Sequence, residues 1–156
     1  TTYTVITTGK HSMKLFSILT LGLGLAAAPL LADGHASGDA EAGEKIFNKC
    51  KACHMIVSDA GDVIVKGNKT GPNLYGLNER QLGSVEGFKY GKSIVELGET
   101  GVVWNEAEFV EYVADPKKYL QTKLDDKKAK SKMSFKLRKE EEAANVWAFI
   151  VSAAAE

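Results

Sequence analysis

The stretch Asn48-Lys-Cys-Lys-Ala-Cys-His-Met55 holds both cysteines of the 156-residue chain. Two residues separate the thiols of Cys50 and Cys53, and His54 follows at once. Three chemistries use such a pair: a dithiol switch, part of a metal site, or attachment of a larger cofactor. A zinc site draws four ligands, often from a second Cys or His pair. Only Cys50, Cys53 and His54 are at hand, because His11 and His35 fall in the N-terminal region. A thioredoxin-like C-x-x-C belongs in a βαβ setting, and no segment of this chain alternates like a strand. C-x-x-C-H is left as an attachment motif for c-type haem. Each thiol adds to one vinyl group of the porphyrin, and the two-residue spacing lets both sulfurs reach. The adjoining histidine then lies beneath the iron as an axial ligand.

The other iron ligand follows by elimination. Met, His, Cys and Tyr serve in haem proteins, and Lys is a further candidate. Both cysteines are consumed, and Met13 and two histidines lie upstream. Met55 adjoins His54 and cannot reach the opposite porphyrin face. Met133 remains, in a polar stretch, "KSKMSFK", unsuited to a core segment. The expected set is therefore Cys50 and Cys53 for the haem, with His54 and Met133 for the iron.

Composition agrees with a globular chain: 44% hydrophobic, 26% charged and formally neutral, with no overall charge bias toward nucleic acid. From Met13 the chain reads as a secretory leader, with Lys14, an apolar run over 15–28 and small residues after it. The expected layout is 1–12 as an upstream extension, 13–36 as a signal peptide cut near 32–36, and 37–156 as the domain. An uncleaved anchor is the alternative, since 15–32 makes an apolar run of 18 residues, the lower limit for a spanning helix. Gly22, Gly24 and Pro29 weaken that helix. Either reading exports the domain, and a bacterial periplasm is the expected location.

Within the domain, 39–52 predicts an amphipathic helix capped by Asp39, with Gly43, Ile46, Phe47 and Cys50 on one face. Residues 59–76 read as loop, and 91–97 as a short helix. "WNEAEFVEYVADP" predicts a helix capped by Asn105 and stopped by Pro116. A short helix over 116–121, an exposed loop to about 139 and a closing helix from "KEEEAANVWAFIVSAAA" complete the pattern. The expected fold is all-α, with several helices and long loops wrapped around one haem. Loops this long in so small a domain imply a core filled partly by something other than protein.

From about residue 39 onward the chain resembles class I cytochromes c, most closely the bacterial cytochrome c2 type. "FNKCKACH", "KTGPNLYG", "GFKY", Trp104, "EYVADPKKYL" and "KSKMSFK" carry the resemblance in order. It implies that Pro72 accepts the His54 Nδ1 proton and that Arg80, Tyr90 and Trp104 hold a haem propionate. It implies Tyr112 beside the Met133 sulfur and Phe135 by the exposed haem edge. Gly43, Phe47 and Trp147 would join the first and last helices. "DAGDVIVKGN" and "ELGETGV" are longer than in the minimal mitochondrial form, and "NERQLGS" keeps the arginine among altered neighbours.

Residues 115–139 carry ten Lys or Arg against three acids, a net +7 in a neutral chain. Such a run is either a solvated face or a basic collar steering the protein onto acidic patches. The implied function is a periplasmic one-electron carrier between membrane redox complexes, a monomer with no small-molecule substrate. The resemblance suggests a cytochrome bc complex as donor, and a terminal oxidase or photosynthetic reaction centre as acceptor. A peroxidase-type haem enzyme, needing an open sixth position, and a membrane-anchored cytochrome c are the alternatives.

Overall fold

Helix α1 (Ala40–Phe47) opens where expected, because Asp39 accepts from the backbone N–H of Glu41 and Ala42 at 2.9 and 3.1 Å. This is a computed structural model; it describes residues 1–2 and 36–155. The chain divides into Thr1–Leu31 and Ala32–Glu156, and every element below belongs to the second unit. The leader, with Met13, His11, His35 and the extension before it, lies outside the described residues apart from Thr1, Thr2 and Ala36.

α1 ends at Phe47 rather than at 52. From there the chain tightens into turns, with Cys50 N–H bonded to Phe47 O at 2.7 Å and His54 N–H to Cys50 O at 2.9 Å. Such turn bonds, spanning three and four residues, satisfy carbonyls at and just beyond the end of a helix. They present Cys50, Cys53 and His54 from a compact coil rather than from a helix face.

The expectation of no strands needs correcting. β1 (Ile56–Val57) and β2 (Val63–Val65) pair antiparallel, Ile56 opposite Val65 and Val57 opposite Val63. The turn between them closes through Ser58 N–H to Asp62 O at 2.9 Å, and Gly61 takes φ +93°. Strands of two and three residues are too short to show alternation.

The remaining helices follow the expected order: α2 (Lys92–Glu99), α3 (Glu106–Ala114), α4 (Pro116–Lys123) and α5 (Glu140–Ser152). Asn105 caps α3 by accepting from Glu108 N–H at 2.9 Å. Asp115 ends α3 and caps α4, accepting from Lys118 N–H at 3.2 Å, while Pro116 takes the first helical position, where its missing N–H costs nothing. The architecture is all-α apart from the small hairpin.

α5 packs against α1 and α3. A Cβ on Gly43 would come 1.9 Å from Asn145 O, so only glycine permits the α1–α5 crossing. Phe47 meets Phe149 there, with ring centroids 5.3 Å apart. Trp147, expected at this crossing, is buried with its ring 5.4 Å from Phe109 of α3, while Phe149 supplies the ring that meets Phe47. The loop 124–139 is less exposed than its polarity suggests, because Ala129 and Leu137 are buried and Leu137 N–H bonds Val113 O at 2.8 Å.

Candidate functional site

A cavity of about 720 Å³ lies among α2, α3, α5 and the two flanking loops. Cys50, Cys53, His54 and Met133 all line it, so the fold brings together residues up to 83 positions apart. Most of the remaining wall is apolar, from Leu74, Leu77, Ile94, Phe109, Val146 and Ile150. This is the internal space that long loops in a small domain led us to expect.

His54 is fixed on two sides. Its Nδ1 lies 2.9 Å from Pro72 O. A carbonyl only accepts, so Nδ1 carries the proton and Nε2 keeps its lone pair for a metal. Gly71 lies against the ring; a Cβ there would fall 2.5–2.7 Å from Cε1, Nδ1 and Nε2. Burial pushes the imidazole below its usual pKa, only partly opposed by the Pro72 bond, so the ring is neutral as a ligand must be.

Cys50 and Cys53 are not joined in a disulfide. Burial pushes Cys50 up to about 11. A reactive dithiol needs the opposite, a depressed pKa that supplies thiolate. Cys50 therefore lacks the thiolate character of the attacking thiol in a dithiol switch.

On the other side, Met133 is half-buried and its N–H donates to Ser131 Oγ at 3.1 Å. Ser131 Oγ in turn pairs with Tyr112 OH at 3.4 Å. Tyr112 thus reaches the Met133 segment through Ser131. It also stacks edge-on with Trp104 at 5.1 Å. Phe135 lines the cavity while remaining 39% exposed.

Arg80 and Trp104 meet because the segments carrying them pair, with Trp104 N–H bonded to Arg80 O at 2.9 Å and Glu79 N–H to Trp104 O at 2.8 Å. Burial pushes the Tyr90 phenol up, and the nearby Arg80 opposes it, so these two are neighbours as well. All three line the cavity. Arg80 spends two of its N–H groups on the carbonyls of Tyr75 and Asn73, at 2.8 and 3.0 Å. Its other donors stay available for an anionic ligand.

The cavity wall also includes Lys49, Lys69, Lys89, Lys130 and Lys132, and no carboxylate among the described residues. The first three were not legible as site residues, since they lie outside the basic run at 115–139. A large apolar chamber with two thiols, an imidazole lone pair, a thioether and cationic or phenolic donors fits haem c, whose propionates need such donors.

No protein-family model matches the chain. Individual proteins do. A cytochrome c-551 of Roseobacter denitrificans is 57% identical over 120 residues, spanning 77% of this chain and 83% of that protein. A cytochrome c2 of Fuscovulum blasticum is 56% identical over 119 residues, spanning 76% and 75%. The chain belongs to the cytochrome c2 family. Solved structures agree: cytochrome c2 of Rhodobacter capsulatus superposes with a TM-score of 0.70 at 54% identity, covering 74% of this chain and 97% of that one. That of Paracoccus denitrificans gives 0.72 at 52%, covering 76% and 98%. As a member of this family the chain is a class I cytochrome c that binds haem c covalently and carries electrons.

Proposed function

We propose that Cys50 and Cys53 hold the haem through thioether bonds and that His54 and Met133 are its axial iron ligands. The observation that carries this reading is their convergence on one apolar cavity, with His54 Nδ1–H engaged by Pro72 and Nε2 left free. Bound there, haem supplies an iron that cycles between ferrous and ferric. The residues around it hold the site in one geometry. Gly71 and Pro72 restrain the His54 ring on its face and its edge. Ser131, tied to Tyr112, restrains the Met133 backbone. Arg80, Tyr90 and Trp104 supply donors for the propionates. The apolar wall excludes water and, with Met133 as ligand, leaves no open position for a substrate, so the protein is a carrier and not an enzyme.

In this reading residues 13–36 direct export and are removed near 32–36, and the carrier works as a periplasmic monomer. It takes one electron from a quinol-oxidising cytochrome bc complex and yields it to a terminal oxidase or a photosynthetic reaction centre. Docking runs through the cationic rim. All ten basic residues of 115–139 are exposed, with Lys123 and Lys136 paired to Glu108 and Asp115, and Lys89 and Lys69 extend the rim at the cavity. Acidic patches on the membrane complexes would meet it by steered, salt-sensitive encounter.

The test is spectroscopic. Pyridine treatment of the purified holoprotein should give a haem c spectrum with no titratable thiol. The ferric form should show the far-red sulfur-to-iron charge-transfer band. Met133→Ala should abolish that band and let the ferrous form bind carbon monoxide at neutral pH. An unchanged spectrum in Met133→Ala would remove Met133 from the iron.

A further inference from the structure

Asn73 follows Pro72 directly and is held at more points than any neighbour. Its Oδ1 accepts from the backbone N–H of Val57 at 3.0 Å and of Tyr75 at 3.2 Å. Its Nδ2 donates to Val57 O at 2.7 Å. Its own carbonyl accepts from Arg80 at 3.0 Å, and Leu74 N–H beside it donates to Met55 O at 3.0 Å. One amide side chain therefore mimics a strand pair, satisfying both backbone groups of Val57.

What these bonds join matters for the iron site. Residues 55–57 continue directly from His54, and residues 73–75 continue directly from Pro72. Asn73 rivets the segment that carries the imidazole to the segment that carries its acceptor. The proline ring fixes φ at Pro72, so the carbonyl can swing chiefly by rotation of the Pro72–Asn73 peptide plane. That rotation would displace Asn73 and break its side-chain bonds together.

We infer that Asn73 is a positioning residue for the axial histidine: it aims the Pro72 carbonyl at His54 Nδ1–H and so sets the strength of that bond. The inference rests on His54 being the iron ligand. A carbonyl accepting from the remote ring nitrogen orients a ligating imidazole and raises its basicity. A more basic ligand favours the ferric state. Loosening the carbonyl therefore moves the reduction potential up.

The experiment uses ferric and ferrous holoprotein of Asn73→Leu, close in size and without any side-chain hydrogen bond. The His54 Nδ1 proton, followed by NMR, should exchange with solvent about tenfold faster, the equivalent of one hydrogen bond lost. The reduction potential should rise. Ile56→Val is the control, since Ile56 is fully buried in the same segment but makes no side-chain bond. It should lower stability and leave exchange and potential unchanged. Wild-type exchange and potential in folded Asn73→Leu would overturn the inference, as would equal shifts in Ile56→Val. If Asn73→Leu does not fold, Asn73→Asp retains the acceptor and loses the Nδ2 donor. Its exchange should still exceed wild type, and unaltered exchange would overturn the proposal. Were the wild-type His54 ring to lack the hyperfine shift of a metal-bound imidazole, the ligand assignment would fall first and this inference with it. A shifted ring with unaltered exchange sinks this inference alone.

Discussion

Gly43→Ala sets two effects of opposite sign against each other. Alanine is intrinsically better in a helix than glycine, by about 1 kcal/mol. At this position its Cβ would lie 1.9 Å from Asn145 O, 2.5 Å from Asn145 C and 2.9 Å from Phe149 Cβ. A carbon sits comfortably about 3.3 Å from a carbonyl oxygen, so α1 and α5 must part by more than about 1 Å. The obstacle is mostly backbone, which cannot swing aside as a side-chain tip would. Parting the helices also opens the Phe47–Phe149 contact. Overpacking of this kind costs about 1–3 kcal/mol, and the backbone clash places Gly43 at the upper end. After the propensity gain, the net loss is about 2 kcal/mol. For a domain of this size that is a fall in Tm of about 8 °C. Thermal unfolding of ferric holoprotein by far-UV circular dichroism measures it, with the exposed neighbour Glu44→Ala as a control expected to shift little. A Tm equal to wild type or above it would mean that propensity outweighs the crossing, and the reasoning from the close approach would be wrong.

Glu108 offers a test by pH. Burial pushes its carboxyl up, but bonds from Lys123 at 2.8 Å and from the Tyr119 hydroxyl outweigh that, leaving it below the usual value. A depressed carboxylate stabilises above its unfolded pKa, and the contribution is lost as pH falls through the folded one. Glu108→Gln should therefore lower Tm at neutral pH and flatten its decline below about pH 4.3; parallel curves would exclude the contribution. The rim makes a kinetic prediction. Lys89→Glu with Lys130→Glu should slow electron transfer from a cytochrome bc complex about tenfold at low ionic strength and weaken its salt dependence. Stopped-flow rates unaffected by the pair would place docking elsewhere. Apoprotein should lack most of its helix, because the chamber walls have no other core to close on; native ellipticity without haem would contradict this.

The parts legible in the sequence are those set by local or covalent chemistry. The C-x-x-C-H spacing is dictated by the two vinyl groups it must reach, so it reads without a fold. Helix α3 reads from Asn105 at one end and Pro116 at the other, because capping and the missing N–H act within a turn. Met133 is singled out by exhausting the alternatives, and the fold brings it to the same cavity as His54. The hairpin did not read, being shorter than any period it might show. The end of α1 did not read either, since Cys50 continues the helical stripe while the backbone has already tightened. Asn73 and the lysines at positions 49, 69 and 89 acquire their meaning only when distant segments pair. No spacing along the chain records which backbone an amide will meet.

The segment around Met133 is fastened in an unusual way. Residues 130–136 make no backbone–backbone hydrogen bond among the described residues. They are held by single grips: Lys130 N–H on Ser93 Oγ, Lys132 Nζ on Lys89 O, Met133 N–H on Ser131 and Lys136 on Asp115. A stretch without a ladder is free to open locally while the helices stay closed. If Met133 ligates the iron as proposed, the metal would be a further clasp on this strap. Release of Met133 and opening of the strap would then be coupled, each favouring the other.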